Sequence, residues 1–389
     1  MLDIECHAIL SGYDRKTCWV HPRAGAIPRP GQPPVVVLTM HAMRLSGDDV
    51  FYPICDMRTD DGGKSWTGPR EQAEAFARRS AGEGVEKGVS DWWPAWHAAS
   101  QRLLGIGHTV PYSDDNIPGH AVSRSTAYAV YDDEAGAWSP WQALETPFPE
   151  EGAGSVQRLD LPNGDILLPT YFVLPEMFNR GIENRWYSQF GSAVMRCRFD
   201  GETLRYIEHG NELTLPADGN MHPGFVEPSL TQFQDRYFLT LRNTRRGYVT
   251  SAKDGLHFDE PRGWTFDDGS DLGNYETQQH WLAMPDALYL VYTRRGADND
   301  NVARHRAPLF IGQVDPERLC VLRDTEQILV PNRGARLGNF GVTPISPTES
   351  WVTVAEWMQT TPPDPFDCTV CEQYGSDNSV FVVKVRANK

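Results

Sequence analysis

Short apolar runs separated by tight polar turns recur along the whole chain, and they have the length of β-strands rather than of helices. Val35–Met40, Leu103–Val110, Thr126–Tyr131, Asp165–Phe172, Tyr237–Arg242, Ala287–Tyr292 and Trp351–Ala355 are rich in Val, Ile, Leu, Tyr and Thr, with Gly, Pro, Asn and Asp at their borders. A sustained 3.6-residue period is nearly absent; Glu71–Arg79 alone reads as helical, as an insertion on a loop. Between the strands lie Asp/Gly turns that vary one theme. The fullest is Thr59-Asp60-Asp61-Gly62-Gly63-Lys64-Ser65-Trp66, and Ser251–Phe258 repeats it with Phe in the aromatic position. Asp132–Trp138, Asp200–Leu204 and Asp315–Leu319 are weaker versions.

In such a turn the Asp carboxylate accepts hydrogen bonds from N–H groups two or three residues on, while Gly supplies a positive φ. The five turns begin at 59, 132, 200, 251 and 315, at intervals of 73, 68, 51 and 64 residues, a spacing that suits four-stranded blades with variable loops. The pattern predicts an all-β chain forming one β-propeller domain over residues 1–389, in preference to a β-sandwich or β-helix. Five turns plus the material at the termini give six or seven blades, with seven favoured. Ser379–Val385 reads as a final strand that pairs with N-terminal residues and closes the ring, removing exposed edges.

Composition narrows the partners. The formal charge of −16 repels nucleic acid and anionic membranes, and no run of 18 apolar residues offers a transmembrane span. The first residues, Met1–Cys6, lack a basic region followed by an apolar stretch, so the reading places the chain in the cytoplasm. Seven scattered cysteines give no disulfide framework; Cys368 and Cys371 form one CxxC without the further ligands that a tetrahedral zinc site needs. The 12 tryptophans could stack on flat sugar rings, although marking blade turns is their plainer use.

In this acidic chain two segments are basic. Tyr292–Phe310 carries Arg294, Arg295, Arg304, His305 and Arg306 around a polar loop, and Arg242, Arg245 and Arg246 gather at a strand end. Guanidinium groups bind carboxylates in fixed bidentate geometry, so the pattern fits an anionic sugar, a uronate or a sialate. Local pairing with Asp and Glu is the competing reading. Asn274–Trp281, with Gln279 and His280, concentrates hydrogen-bonding groups suited to sugar hydroxyls or to a structural network. His97 and His108 flank the strand Leu103–Gly107, and His108 is the better placed for proton transfer. Tyr171, Arg196 and Glu227 stand at strand ends, and His41 inside a strand is a further acid/base candidate. Asp298, Asn299, Asp300 and Asn301 offer oxygen ligands for a structural calcium, against the plainer reading of a solvated loop; the chemistry requires no cofactor.

With these residues assembled, the chain resembles the sialidase superfamily over nearly its whole length. The resemblance rests on Val50–Trp66, Trp96–Val110, Val226–Asn243, Gln278–Trp281, Arg304–Val314 and Gly334–Val342. More narrowly it resembles the seven-bladed group of rhamnosyl-glucuronate lyases, α-L-rhamnosidases and ulvan lyases. That likeness implies a His/Tyr pair for proton transfer and an arginine on the uronate carboxylate, matched by His108, Tyr171 and Arg196. His120 is the one match to a second lyase histidine. His41 matches the catalytic histidine that the rhamnosidases carry on the opposite face. The expectation is a lyase cleaving a uronate-containing glycan by β-elimination. The alternatives are a glycoside hydrolase, rhamnosidase-like or sialidase-like, and a glycan-binding propeller without turnover. Sialidases need an arginine triad, a Tyr/Glu pair and an acidic donor; arginines and Tyr275 are present, but no full set assembles.

Overall fold

The computed structural model describes residues 2–45, 49–82, 84–113, 124–174, 190–215, 224–361 and 363–387. Six antiparallel sheets follow one another along the chain and close into a ring, as blades around an axis. Blade 1 is Thr17–Ile27, Val35–Arg44, Phe51–Thr59 and Thr67–Glu71. Blade 2 is built on Val85–His97, Arg102–Tyr112 and Thr126–Asp132, with outer pieces at Ala137–Trp138 and Gln142–Ala143. In blade 3 the pieces Glu151–Gly152 and Leu159–Asp160 share the first position, before Asp165–Val173, Phe190–Phe199 and Leu204–His209. Blade 4 holds Val226–Phe233, Arg236–Arg242, Tyr248–Ala252 and Arg262–Gly263. Blade 5 holds His280–Met284, Ala287–Tyr292 and Leu309–Asp315, with Cys320–Val321 and Gln327–Val330 outside.

Blade 6 combines both ends of the chain. Phe340–Ser346, Glu349–Ala355 and Val380–Ala387 are joined by Leu2–Leu10, which pairs antiparallel with the last strand from Leu2↔Ala387 onward. The ring is therefore six-bladed, not seven-bladed. The two terminal segments complete one blade together instead of supplying one each, so five turns and the termini make six. Leu2–Leu10 takes the outer, fourth position of that blade beside Val380–Ala387 and is itself the sheet edge there, so closure joins the two termini but leaves an outer edge.

The longest apolar runs of the sequence are mostly the second strands of the blades. A second strand has a neighbour on either side within its sheet and a blade on either face. Asp165–Val173 is accordingly buried at every position. The Asp turns all join the third and fourth strands. Asp61 accepts from the N–H groups of Lys64 and Ser65, and Asp132, Asp200, Asp254 and Asp315 each accept from the residues two and three further on. Trp66 of the first turn packs on Trp351 of blade 6, rings 6.2 Å apart. Among the described residues none of the exposed large apolar side chains, Tyr52, Ile207, Ile328 and Tyr374, is a tryptophan. Indoles serve the seams between blades, as with Trp264 on Trp281 at 5.7 Å.

Glu71–Arg79 is not helical. Glu71 ends a strand, Gln72 bonds Asp56 at 2.9 Å, and a single turn follows that buries Ala75 and Phe76 against Trp92. Its apolar residues serve a seam between blades 1 and 2, which one turn achieves. Among the described residues the α-helix that does form, Cys368–Gln373, is capped by Asp367. All seven cysteines are free. Among the described residues no helix is long and apolar enough to cross a membrane.

Candidate active site

The first strand of each blade lines the axis, and five of them carry a non-glycine residue in the left-handed region at or just before the same level. These are His21 (φ 56°), Asp91 (54°), Ser155 (60°), Glu227 (46°) and Glu276 (49°). Ladder register slips at three of them, between Val20 and Arg23, Ser90 and Trp93, and Val226 and Ser229. Such bulges re-aim side chains, and left-handed non-glycine residues cost about 1–3 kcal/mol each, so five in one ring mark a place where position outweighs stability. The ring lies at the face of the propeller opposite the Asp turns, where second strands end and first strands begin.

Arg23 crosses the axis. Its Nη2 donates to Ser155 Oγ at 2.8 Å on blade 3 and to Gln278 Oε1 at 2.9 Å on blade 5, and Gln278 Nε2 in turn donates to Ser155 Oγ at 2.9 Å. Asp91 is the anionic centre: His21 Nδ1 lies 3.3 Å and Arg23 Nη1 3.6 Å from Oδ1, and His108 Nε2 lies 3.4 Å from Oδ2. Burial works to raise its carboxyl, but His21, His108, Arg23 and the Ser155 hydroxyl outweigh this and hold it well below the usual range. Asp91 is thus a fixed charge and no proton donor.

Two predicted residues meet beside it. The Tyr171 hydroxyl is 3.0 Å from His108 Nδ1, His108 Nε2 is 3.3 Å from Ser90 Oγ, and Ser90 Oγ donates to Asp91 Oδ2 at 3.1 Å, which gives a buried relay from Tyr171 through His108 and Ser90 to Asp91. Burial lowers His108 to about 3 and raises the Tyr171 phenol, so at neutral pH both are uncharged and the phenol keeps its proton. On the other side, Asn339 Nδ2 bonds His21 Nε2 and its Oδ1 accepts from Arg306 Nη1 at 3.2 Å. A continuous line of contacts therefore runs from Arg306 through Asn339, His21, Asp91 and His108 to Tyr171.

Cations crowd this end. Arg306 is 2% and Arg336 7% exposed; Arg306 donates to Glu276 O and Asn339, and Arg336 to Gln359, but neither has a carboxylate in ion-pair range among the described residues. Their Nε atoms have no partner. Burial, Arg336, Arg242 and Arg304 push Arg306 well below its ordinary value, and burial with Arg304 pushes Arg336 down to about 9. Two carboxylates share the space: Glu227 pairs with Arg242 at 2.6 Å, and Glu276 with Arg304 at 3.5 Å. At the rim Tyr275 meets His305 Nδ1 at 2.5 Å, and His305 Nε2 lies 3.1 Å from Asp300.

Other predicted residues lie elsewhere or serve the scaffold. Arg196 faces Leu167 across its sheet, four positions from the Tyr171↔Ser192 pair, and is held by Asp165 at 3.2 Å and Glu208 at 2.6 Å. It is not beside His108. His97 is at the far end of its strand, bonded to Ser100 at 2.7 Å and Gly164 O at 3.0 Å. Arg294 grips Glu326 through two nitrogens on the outer part of blade 5. Gln279 is spent on Thr240 and Thr277 O, and His280 on Ser229 and Gln278 beneath the ring. His41 is buried, with Nδ1 3.0 Å from Tyr52 O and its ring 6.1 Å from His21. It thus shares a face with His108 instead of opposing it. His120 lies outside the described residues. Asn299 holds the carbonyls of Arg294, His305 and Ala307, and among the described residues no group of three or more His, Cys, Asp or Glu side chains is arranged to hold a metal.

His21, Arg23, Asp91, Ser155, Glu276 and Arg336 complete the site but were not singled out by sequence reasoning. Arg23 did carry a signal: an arginine directly before the small apolar run Ala24-Gly25-Ala26, on a strand buried at most positions. Asp91 before Trp92-Trp93 is a similar anomaly.

No family model and no curated protein sequence matches the chain. Solved structures do. A Dyadobacter fermentans protein of unknown function superposes with a TM-score of 0.64 at 12% identity, covering 99% of both chains. The likeness is one of fold. Trypanosoma rangeli sialidase in complex with the inhibitor DANA matches with a TM-score of 0.57 and 12% identity, and a leech intramolecular trans-sialidase with 0.58 and 12%. The matches cover 95% and 98% of this chain but 55% and 70% of those proteins. The chain therefore has the sialidase-type β-propeller. The narrower resemblance to seven-bladed lyases and rhamnosidases has no counterpart among these matches, and the blade count differs.

Proposed function

We propose that the chain is a carbohydrate-active enzyme, a glycoside hydrolase acting on a sugar that bears a carboxylate. One observation carries this reading: Arg306 and Arg336 are buried at the axis, unpaired by any described carboxylate, next to a proton relay. Buried cations without a counter-ion are costly, and a ligand anion would supply the missing partner. Arg242, already engaged by Glu227, would add to that field.

In this reading Tyr171 donates the proton to the leaving oxygen, and His108, oriented by Asp91, exchanges it afterwards. Glu227 and Glu276 supply negative charge where positive charge builds at the anomeric carbon. The sialidase neighbours support the choice of hydrolysis through their fold.

A second reading is β-elimination from a uronate, and the 3.0 Å contact of His108 with Tyr171 favours it, since the same pair could take the proton next to a carboxylate. Aryl glycosides of sialate and of a uronate that carries a second sugar on O4 separate the readings. Hydrolysis gives saturated sugars only, elimination expels the sugar on O4 and leaves an ultraviolet-absorbing unsaturated uronate, and binding without either product would sink both.

A further inference from the structure

The axis has a second compartment. Below the ring of charged groups a layer crosses the tunnel, in which His280 packs edge-on to Trp93 at 4.7 Å and to Phe340 at 4.9 Å, with Arg23 over Trp93 at 5.5 Å. Beyond it, towards the face of the Asp turns, lies a cavity of about 430 Å³. All six first strands contribute wall, among them Trp93, Trp96, Trp281, Leu230 and Val342. Its rim reaches solvent at Pro28, Ala283 and Pro344, which are exposed.

The charged and amide side chains on this wall are already used, and the rest of its polar side-chain lining is the hydroxyls of Thr231, Thr343 and Ser350. Gln157 bonds Trp281 N at 2.6 Å and Trp281 O at 2.9 Å. Arg158 is held by Asp160 at 3.0 Å and by the carbonyls of Leu104 and Ala95. Thr343 donates to Ala24 O at 2.6 Å. The wall thus offers indole and aliphatic surface and no unpaired charge, the reverse of the other end. Volume and lining match those of ordinary small-molecule sites, which run from roughly 300 to 1,000 Å³ and are mostly apolar. Its position among the first strands makes it preformed, so a ligand pays little to order it.

We propose that this cavity is a binding site for a small, neutral, aromatic molecule, separate from the polar site on the opposite face. A charged ligand finds no partner there, and a sugar would strand its hydroxyls against apolar wall. The proposal does not depend on the reaction assigned to the polar site.

The test uses the full chain and the neutral fluorescent probe N-phenyl-1-naphthylamine, titrated by emission enhancement. Ala283→Trp on blade 5 and Thr231→Trp on blade 4 plug the cavity from positions that are not buried, and Arg306→Met alters the polar end; circular dichroism confirms that each variant is folded. The expected result is saturable binding at one probe per chain, weakened by at least about tenfold in both plugged variants and unchanged in Arg306→Met. Absence of saturable binding in the wild type, or binding that survives both plugs, overturns the proposal. So does binding lost only with Arg306→Met.

Discussion

Replacing Arg306 by methionine separates the cost of the site from its use. The guanidinium is 2% exposed, keeps one bond to Asn339 and one to Glu276 O, leaves Nε unpartnered and faces Arg336, Arg242 and Arg304. Exchanging buried charge for an apolar side chain of similar bulk is often neutral or stabilising by about 1–4 kcal/mol. The two hydrogen bonds lost run from a guanidinium to uncharged acceptors, and their loss costs about 1.5 kcal/mol each. The variant should therefore stay within about 2 kcal/mol of the wild-type stability. A bound carboxylate, by contrast, loses charge-assisted bonds worth about 2–4 kcal/mol, which is about 30- to 1,000-fold in affinity. Urea unfolding and calorimetric titration with a uronate or sialate measure both. A variant destabilised by more than about 2 kcal/mol with unchanged affinity would refute the reasoning, because Arg306 would then be a structural group.

Tyr171→Phe removes the hydroxyl next to His108 and should lower turnover by about 10²–10⁴-fold while leaving ligand affinity within a few-fold, as read from initial rates and calorimetry. Stability should decline in mild acid: His21 and His108 are pushed down to about 3 and His41 to about 4, all by burial, so the unfolded chain takes up protons below about 6.5 that the folded one refuses. The contribution of the three is complete above that pH and is lost towards pH 4, at up to about 4 kcal/mol per pH unit; unfolding midpoints that stay flat from pH 7 to 5 would contradict it. Trp351→Ala takes a fully buried indole from under the first Asp turn and from the blade that closes the ring, and should cost about 3–5 kcal/mol in urea unfolding.

Strand positions were legible because a second strand such as Asp165–Val173 is buried on both faces and so reads as an unbroken apolar run. Asp turns were legible because their carboxylates bond locally. Blade number was not, since nothing local in Leu2–Leu10 tells that it completes the blade of Val380–Ala387. His108, Tyr171 and Arg242 could be picked out as polar groups near the ends of apolar second strands. The same rule misplaced Arg196 and His97, because alternate strands run in opposite directions and a strand end can belong to either face. The left-handed φ shared by His21, Asp91, Ser155, Glu227 and Glu276 left no mark in the sequence. The sign of φ is not written in a non-glycine side chain; the ladders on either side impose it.

The central claim is that the axis end beside Tyr171 recognises a carboxylate. A matched pair of aryl glycosides tests it most directly, one bearing the sugar carboxylate and the other its neutral carboxamide. The account predicts that kcat/KM for the acid exceeds that for the amide by about 10²–10³-fold, and that Arg306→Met removes most of this preference. Equal rates on acid and amide would contradict it.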